Sequence, residues 1–296
     1  MRMFTFFVYI PMRYDEIWHR LATVYEPGEA KAVARMLLEE KFGMTHADIL
    51  CGGVEALSAD DTLWLESAVA RLERSVPVQY VLGETLFCGN RIAVGEGVLI
   101  PRPETEWLVE RAVAEAGGGT GSGRGDGLRL LDIGTGSGCI AVSLKKALPG
   151  AYVEAWDVSA DAIDIAEGNA LRLGADITFR ECDALKAQPG GERWDIVVSN
   201  PPYVCDSERA GMDANVLEHE PATALFVPDS DPLLFYRAIT RYAAATLRAG
   251  GRLLFECNTR FAGDTAEMMR AEGFGGTAVA DDCFGMPRFA EGRKKE

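Results

Sequence analysis

The segment Asn200-Pro201-Pro202-Tyr203 combines a side-chain amide, two residues that stiffen the backbone, and an aromatic ring. An amide or aryl amine nitrogen is a poor nucleophile because its lone pair is delocalised. The Asn200 side-chain oxygen and the Pro201 carbonyl can both accept from one NH2 group, which holds that nitrogen and pushes it toward tetrahedral geometry. The prolines stiffen the two acceptors, and the Tyr203 ring can pack against a planar substrate, its hydroxyl having no assigned part. Catalysis of this kind is orientation and electrostatics. It suits attack of a conjugated nitrogen on a methyl sulfonium. No strong base is needed beforehand, since the N–H turns acidic only as the new bond forms. Read as chain geometry alone, Pro-Pro ends a strand and nothing more.

A second group lies upstream. Gly134-Thr135-Gly136-Ser137-Gly138 follows a strand and precedes a helix, so glycines can turn the backbone sharply and let a ligand approach main-chain atoms. The helix start behind them favours an anionic group. Cys139 stands where the dinucleotide fingerprint wants Gly or Ala, which disfavours NAD. Asp157 ends the next strand, about 20 residues on, where a carboxylate can accept from ribose hydroxyls. Ser159 is the better helix cap, which leaves Asp157 for that task. Asp183, after the third strand, could accept from an exocyclic amine on adenine. A tight turn, a capping Asp and a loop Asp are the commoner readings of these features one at a time. Their grouping on one sheet with Asn200 gives them weight.

That grouping requires particular elements. Strands are expected at 128–133, 152–156, 177–180, 195–199 and 252–257. Helices are expected at 139–148, at 159–173 closed by Gly174, and after Asp231-Pro232 up to Gly250-Gly251. Strands alternating with helices imply a mainly parallel sheet covered on both faces, with ligands at the carboxyl ends of the strands. Residues 14–76 read as helical. Ala30, Val33, Ala34, Leu37 and Leu38 keep helical spacing, and a second helix begins at Ser58 with Leu65, Ala68, Val69 and Leu72 on one stripe. Between 84 and 100, Phe87, 91–94 and 98–100 read as short strands of a hairpin, and a helix runs from 101–106 to Ala116. Residues 117–127 hold seven glycines in eleven and read as a flexible loop.

Composition bounds the function. The chain has 296 residues, 48% hydrophobic and 25% charged, as expected of a soluble globular protein. A net charge of −15 makes a grip on bare nucleic acid unfavourable. Seven scattered cysteines, with no C-x-x-C pair, argue against a disulfide framework or a structural zinc site and read as reduced thiols in a cytoplasmic protein. The three histidines, His19, His46 and His219, are not spaced as metal ligands, so no metal is expected. Apolar residues 4–10 are short and aromatic, and Pro11 follows without a cleavage site, so secretion is not expected. No run approaches the length of a membrane span. With no long exposed apolar stripe, a monomer is expected.

These residues resemble class I S-adenosylmethionine-dependent methyltransferases with the N-P-P-Y signature. More narrowly, the chain is similar to the protein-(glutamine-N5) methyltransferases of peptide chain release factors, the HemK/PrmC family. The likeness runs from about residue 14 to 293. It rests also on Gly83-Glu84-Thr85-Leu86-Phe87-Cys88-Gly89, on 98–106 (VLIPRPETE), on Glu220-Pro221-Ala222-Thr223-Ala224-Leu225, and on Asp282-Cys283-Phe284-Gly285-Met286-Pro287-Arg288. The resemblance implies an α/β fold: a Rossmann-like methyltransferase domain with a mainly parallel seven-stranded sheet over 101–296. A helical substrate-recognition domain over 1–83 and a β-hairpin linker over 84–100 precede it. It assigns Gly134, Thr135, Gly136, Ser137, Gly138, Asp157, Asp183 and Asn200 to S-adenosyl-L-methionine. Asn200, Pro201, Pro202 and Tyr203 go to the glutamine of the Gly-Gly-Gln loop of class 1 release factors. Ala184 stands where many members carry a large apolar residue, and the 117–127 loop is longer than usual. A glutamine methyltransferase of a ribosomal protein shares every one of these site motifs. The N-P-P-Y chemistry also suits an adenine-N6 nucleic-acid methyltransferase, against which the net charge of −15 stands. A non-catalytic release-factor-binding protein would keep the fold, against which the intact Asn200 and glycine loop stand.

Overall fold

A computed structural model describes residues 12–117, 125–191 and 193–296. The apolar 4–10 segment and most of the glycine-rich 117–127 stretch lie outside the described residues.

The chain begins with five helices: α1 (Tyr14–Leu21), α2 (Pro27–Phe42), α3 (His46–Leu50), α4 (Ala59–Leu72) and α5 (Val78–Leu82). Pro27 sits in the first turn of α2, where its missing N–H costs nothing, and Gly43 ends the helix with φ +65°. Ser58 caps α4 as its residue type predicts, its hydroxyl accepting from the Asp61 amide at 3.1 Å. Ala30, Ala34, Leu37 and Leu38 of α2 and Leu65, Val69 and Leu72 of α4 are buried.

The hairpin β1 (Glu84–Phe87) and β2 (Asn90–Ala93) follows, with Phe87 paired to Asn90 across a two-residue turn. Cys88 and Gly89 there both have positive φ, +47° and +70°, the geometry that matches the twist of hairpin strands. The expected strand at 98–100 does not form. Val98 and Ile100 are buried, but the Ile100 amide donates to the Glu220 carboxylate at 3.1 Å instead of to a neighbouring strand.

A 3-10 turn (Pro103–Thr105) then opens α6 (Glu106–Glu115). The alternating part consists of β3 (Arg129–Ile133), α7 (Cys139–Ala147), β4 (Tyr152–Asp157), α8 (Ala160–Leu173), β5 (Thr178–Glu181) and β6 (Trp194–Ser199). After β7 (Val204–Cys205), α9 (Ala214–His219), α10 (Ala222–Leu225) and β8 (Phe226–Val227) come α11 (Leu234–Thr246), β9 (Leu247–Glu256), α12 (Ala262–Ala271), β10 (Phe274–Asp281) and β11 (Pro287–Lys294). The described chain divides into two compact units, residues up to Gly83 with Asp213–His219, and Glu84–Met212 with Glu220–Glu296.

Seven strands of the second unit form one sheet in the order β10-β11-β9-β6-β3-β4-β5. The five strands β9, β6, β3, β4 and β5 are parallel, and β11 and β10 add antiparallel pairs at one edge. This is a Rossmann-like α/β architecture. The strand order reverses between β3 and β6, so the loops leaving their carboxyl ends flank the crevice where such sheets take ligands. Strand β3 is buried from Leu130 through Ile133, as a central parallel strand must be. Gly250-Gly251 does not end α11, which stops at Thr246. Both glycines lie inside β9, where its register with β6 slips between Trp194 and Ile196. Gly250 has φ +76°, and a Cβ on Gly251 would come within 3.0 Å of the Asp195 carbonyl oxygen.

Candidate active site

The loop after β3 is held by backbone bonds. The amides of Gly134 and Thr135 both donate to the Trp156 carbonyl at 2.8 Å, and the Gly138 amide donates to the Thr135 carbonyl at 2.9 Å. Gly134, Gly136 and Gly138 all have positive φ, which a side chain would strain. A Cβ on Gly138 would also lie 3.0 Å from the Ala166 Cβ, so α7 packs directly on α8. The Thr135 hydroxyl turns inward and donates to the Asp132 carboxylate at 2.7 Å. Burial pushes the Asp132 carboxyl up to about 7, against the pull of Thr135 and of the Ala141 backbone. Asn169 of α8, fully buried, clamps this loop to the hairpin. Its Nδ2 donates to the Ser137 and Ala93 carbonyls, each at 2.9 Å, and its Oδ1 accepts from the Ala93 amide at 2.7 Å.

An open cavity sits beyond these strand ends. Gly134 and Gly136, then Asp157 and Val158, then Asp183 and Ala184, then Asn200, Pro201 and Pro202 line it from four strands. Thr135, Ser137, Gly138 and Tyr203 do not line it. The first three shape the loop from behind. Asp157 is anchored at both oxygens, Oδ2 accepting from the Gly136 amide at 2.9 Å and Oδ1 from the Ser159 amide at 3.0 Å. Each oxygen keeps a further lone pair for a ligand. Ser159 caps α8, its hydroxyl accepting from the Ala162 amide. The Asp183 carboxylate accepts from the Leu185 amide at 2.9 Å and pairs with Lys186 at 2.8 Å, and Lys186 holds its carboxyl below the ordinary range.

The loop after β6 is held by side chains. Ser199 donates to the Ile133 carbonyl at 2.6 Å, tying the ends of β6 and β3 together. Asn200 Nδ2 donates to Thr105 Oγ1 at 3.3 Å. Thr105 Oγ1 donates to Glu256 Oε2 at 2.6 Å, and the Tyr203 hydroxyl donates to Glu256 Oε1 at 3.0 Å. The expectation that the Tyr203 hydroxyl is idle is therefore overturned, and its ring packs against the buried core beneath the sheet. Glu256 is 1% exposed at the end of β9. Burial pushes its carboxyl up, while Thr105, Tyr203 and the Arg288 charge pull it down. Burial first, then the Glu256 charge, raises the Tyr203 phenol well above its ordinary value.

A second brace lies at Glu220, whose Oε1 meets Arg102 at 2.6 Å while Oε2 takes the Ile100 amide. It fixes the start of the segment carrying Pro221, Thr223 and Ala224, which also line the cavity. Sequence reasoning did not single out Glu256, Thr105 or Asn169. The signal was present for Glu256: one glutamate inside the apolar run 253–257 is a buried charge that must be paired. Among the described residues no group of His, Cys, Asp and Glu could hold a metal ion, and no helix is long and apolar enough to cross a membrane.

The cavity fits S-adenosylmethionine. Glycines with positive φ leave one wall without side chains, a doubly anchored carboxylate stands beside them, and Val158, Ala184, Phe235 and Ile239 supply apolar contact for a flat ring.

Family models described as "PrmC N-terminal domain" and "Methyltransferase small domain" match residues 15–83 and 124–223. The chain is 45% identical over 269 residues to a release factor glutamine methyltransferase of Bacteroides thetaiotaomicron, spanning 90% of this chain and 94% of that one. It is 41% identical over 268 residues to a release factor glutamine methyltransferase of Flavobacterium psychrophilum, spanning 90% and 93%. Among solved structures, a 16S rRNA methyltransferase of T. thermophilus in complex with AdoMet and guanosine superposes with a TM-score of 0.51 at 17% identity. It covers 72% of this chain and 50% of that one, a likeness of fold alone.

Proposed function

This chain belongs to the release factor glutamine methyltransferase family, and from that premise we propose that it methylates the side-chain amide nitrogen of the glutamine in the Gly-Gly-Gln motif of class 1 peptide chain release factors, with S-adenosyl-L-methionine as donor. The observation that carries this reading is the Asn200 side chain. Its Nδ2 is committed to Thr105, so Oδ1 is the acceptor left for a substrate NH2. Asn200 Oδ1 and the Pro201 carbonyl take the two N–H bonds of that amide and turn its lone pair outward. Bound S-adenosylmethionine supplies an electrophilic methyl group on sulfur. The substrate nitrogen gains the methyl as the methyl–sulfur bond breaks, its electron pair staying on the departing thioether sulfur. The nitrogen gives up to solvent one proton that becomes acidic as the N–C bond forms, so no base in the cavity is required.

Gly134, Gly136, Asp157 and Asp183 hold the cofactor, with Thr135, Ser137 and Gly138 shaping the loop behind it. Pro202 and the ring of Tyr203 support the wall against which the glutamine lies. The helical domain, 1–83, helps to hold the release factor, and the hairpin linker, 84–100, joins it to the methyltransferase domain, 101–296. The protein acts as a cytoplasmic monomer in translation termination and touches neither nucleic acid nor membrane. The test is mass spectrometry of a class 1 release factor after incubation with the full chain and S-adenosylmethionine. One added methyl on the Gly-Gly-Gln glutamine supports the reading. An unmodified release factor beside a methylated ribosomal protein overturns it.

A further inference from the structure

Beneath Asn200 lies a line of polar groups that never reaches the cavity and that methyl transfer as described above does not use. Glu256 is buried and, as a carboxylate, can only accept. It faces donors or positive charge on three sides: the Thr105 hydroxyl from the turn before α6, the Tyr203 hydroxyl from the loop after β6, and the Arg288 guanidinium of β11. The Glu104 carboxylate acts on it as a like charge. A threonine hydroxyl has one proton. With that proton given to Glu256 at 2.6 Å, Thr105 Oγ1 turns only lone pairs toward Asn200.

A primary amide has two faces of nearly equal shape and opposite polarity. If the Asn200 amide were rotated end for end, Oδ1 would sit against Oγ1, two acceptors at the present 3.3 Å separation. Only Nδ2 matches. We infer that Glu256, acting through Thr105, is a positioning residue that fixes the polarity of the Asn200 amide so that an acceptor, and not a donor, is presented to the substrate nitrogen. The inference rests on the glutamine-methylating reading above and deepens it, since against a substrate NH2 the wrong amide face offers donor against donor.

Thr105→Val keeps the shape of the side chain and removes the acceptor. We expect kcat to fall roughly 10- to 100-fold, the size of one mismatched polar contact at a reacting group, with S-adenosylmethionine affinity by calorimetry within about twofold. Thr105→Ser, which keeps the hydroxyl, restores most of the rate. In an Asn200→Ala background, Thr105→Val has no further effect, because Thr105 has nothing left to orient. A Thr105→Val rate within twofold of wild type, or losses that add to those of Asn200→Ala, overturns the inference. So does Thr105→Ser being as slow as Thr105→Val. A substrate-free readout separates this inference from the function it rests on. The Asn200 side-chain NH2 pair in a 15N-labelled protein shows one exchange-protected proton in wild type and loses that protection in Thr105→Val. A wild type that leaves the release factor unmodified yet shows that signal fails the proposed function and keeps the relay; a wild type without it fails the relay.

Discussion

Two walls of one cavity are built by different means. The wall at the ends of β3 and β4 is main chain, held largely by other main chain: Gly134, Thr135 and Gly138 donate to carbonyls, while Gly136 takes the Asp157 carboxylate and Asn169 the Ser137 carbonyl. The wall at the end of β6 is side chain held by side chain, with Asn200 reaching Thr105, and Thr105 and Tyr203 reaching a buried glutamate. The first arrangement exposes main chain to a ligand and serves to bind. The second sets the orientation of one amide and serves to direct a reaction. Lesions in the first wall should therefore raise the dissociation constant of the cofactor. Lesions in the second should lower kcat and, where a buried partner is stranded, stability.

The largest effect expected outside Asn200 itself is at Asp157. Asp157→Ala removes acceptors for ribose hydroxyls and the anchor of the Gly136 amide together. A charge-assisted pair of this kind is worth about 1.5–3 kcal/mol, so calorimetry should show cofactor affinity falling roughly 10- to 150-fold with kcat at saturating cofactor much less changed. A variant slowed in kcat at unchanged affinity would erase the distinction between the walls.

Tyr203→Phe comes next and sharpens the comparison from the other side. It takes one of two hydroxyl donors from a buried carboxylate, which costs about 1–2 kcal/mol. Urea unfolding should show that loss, kcat should fall less than in Asn200→Ala, and cofactor affinity should hold. Undiminished stability would mean that the Tyr203–Glu256 bond supports nothing.

The wall at β3 and β4 was legible in the sequence and the wall at β6 only in part. Glycines at 134, 136 and 138 announce their positive φ because other residues pay strain there, and Asp157 and Ser159 lie next to what they bind. The Asn-Pro-Pro-Tyr segment was visible, but its support was not. Asn200 and Thr105 are 95 positions apart, Thr105 and Glu256 are 151, and no local pattern joins them. The same limit explains the fold. Strands β3 and β4, largely apolar runs between helices, and β6, a largely apolar run ahead of Asn200, stood out. The edge pair β10 and β11 carries Gly275, Gly276, Arg293 and Lys294, and reads as loop until a neighbouring strand is known. Residues 98–100 have strand composition but spend the Ile100 amide on Glu220.

A smaller effect tests the loop from below. The Asp132 carboxyl is pushed up to about 7 by burial, so the folded chain holds that proton more tightly than the unfolded one. Its contribution to stability is full below about pH 4 and is lost as the pH rises through about 7. Asp132→Asn has no proton to lose there. The Tm of the variant relative to wild type should climb between pH 4 and pH 7 and then level off. A flat difference would mean that Asp132 is charged throughout and that Thr135 and the loop amides suffice to hold it. The smallest effect belongs to Lys186→Ala. Lys186 is 83% exposed beside Asp183, and such surface pairs contribute little, so Tm should stay unchanged and cofactor affinity within about twofold.

The central claim is that the Asn200 amide directs a nitrogen of the substrate toward the methyl donor. Single-turnover methylation of a class 1 release factor at saturating S-adenosylmethionine, wild type beside Asn200→Ala, tests it most directly. The rate should fall roughly 10²–10³-fold, as when one preorganised polar contact is removed from a transition state, with cofactor still bound. A wild-type rate in Asn200→Ala would reduce Asn200-Pro201-Pro202-Tyr203 to the end of a strand and contradict the account.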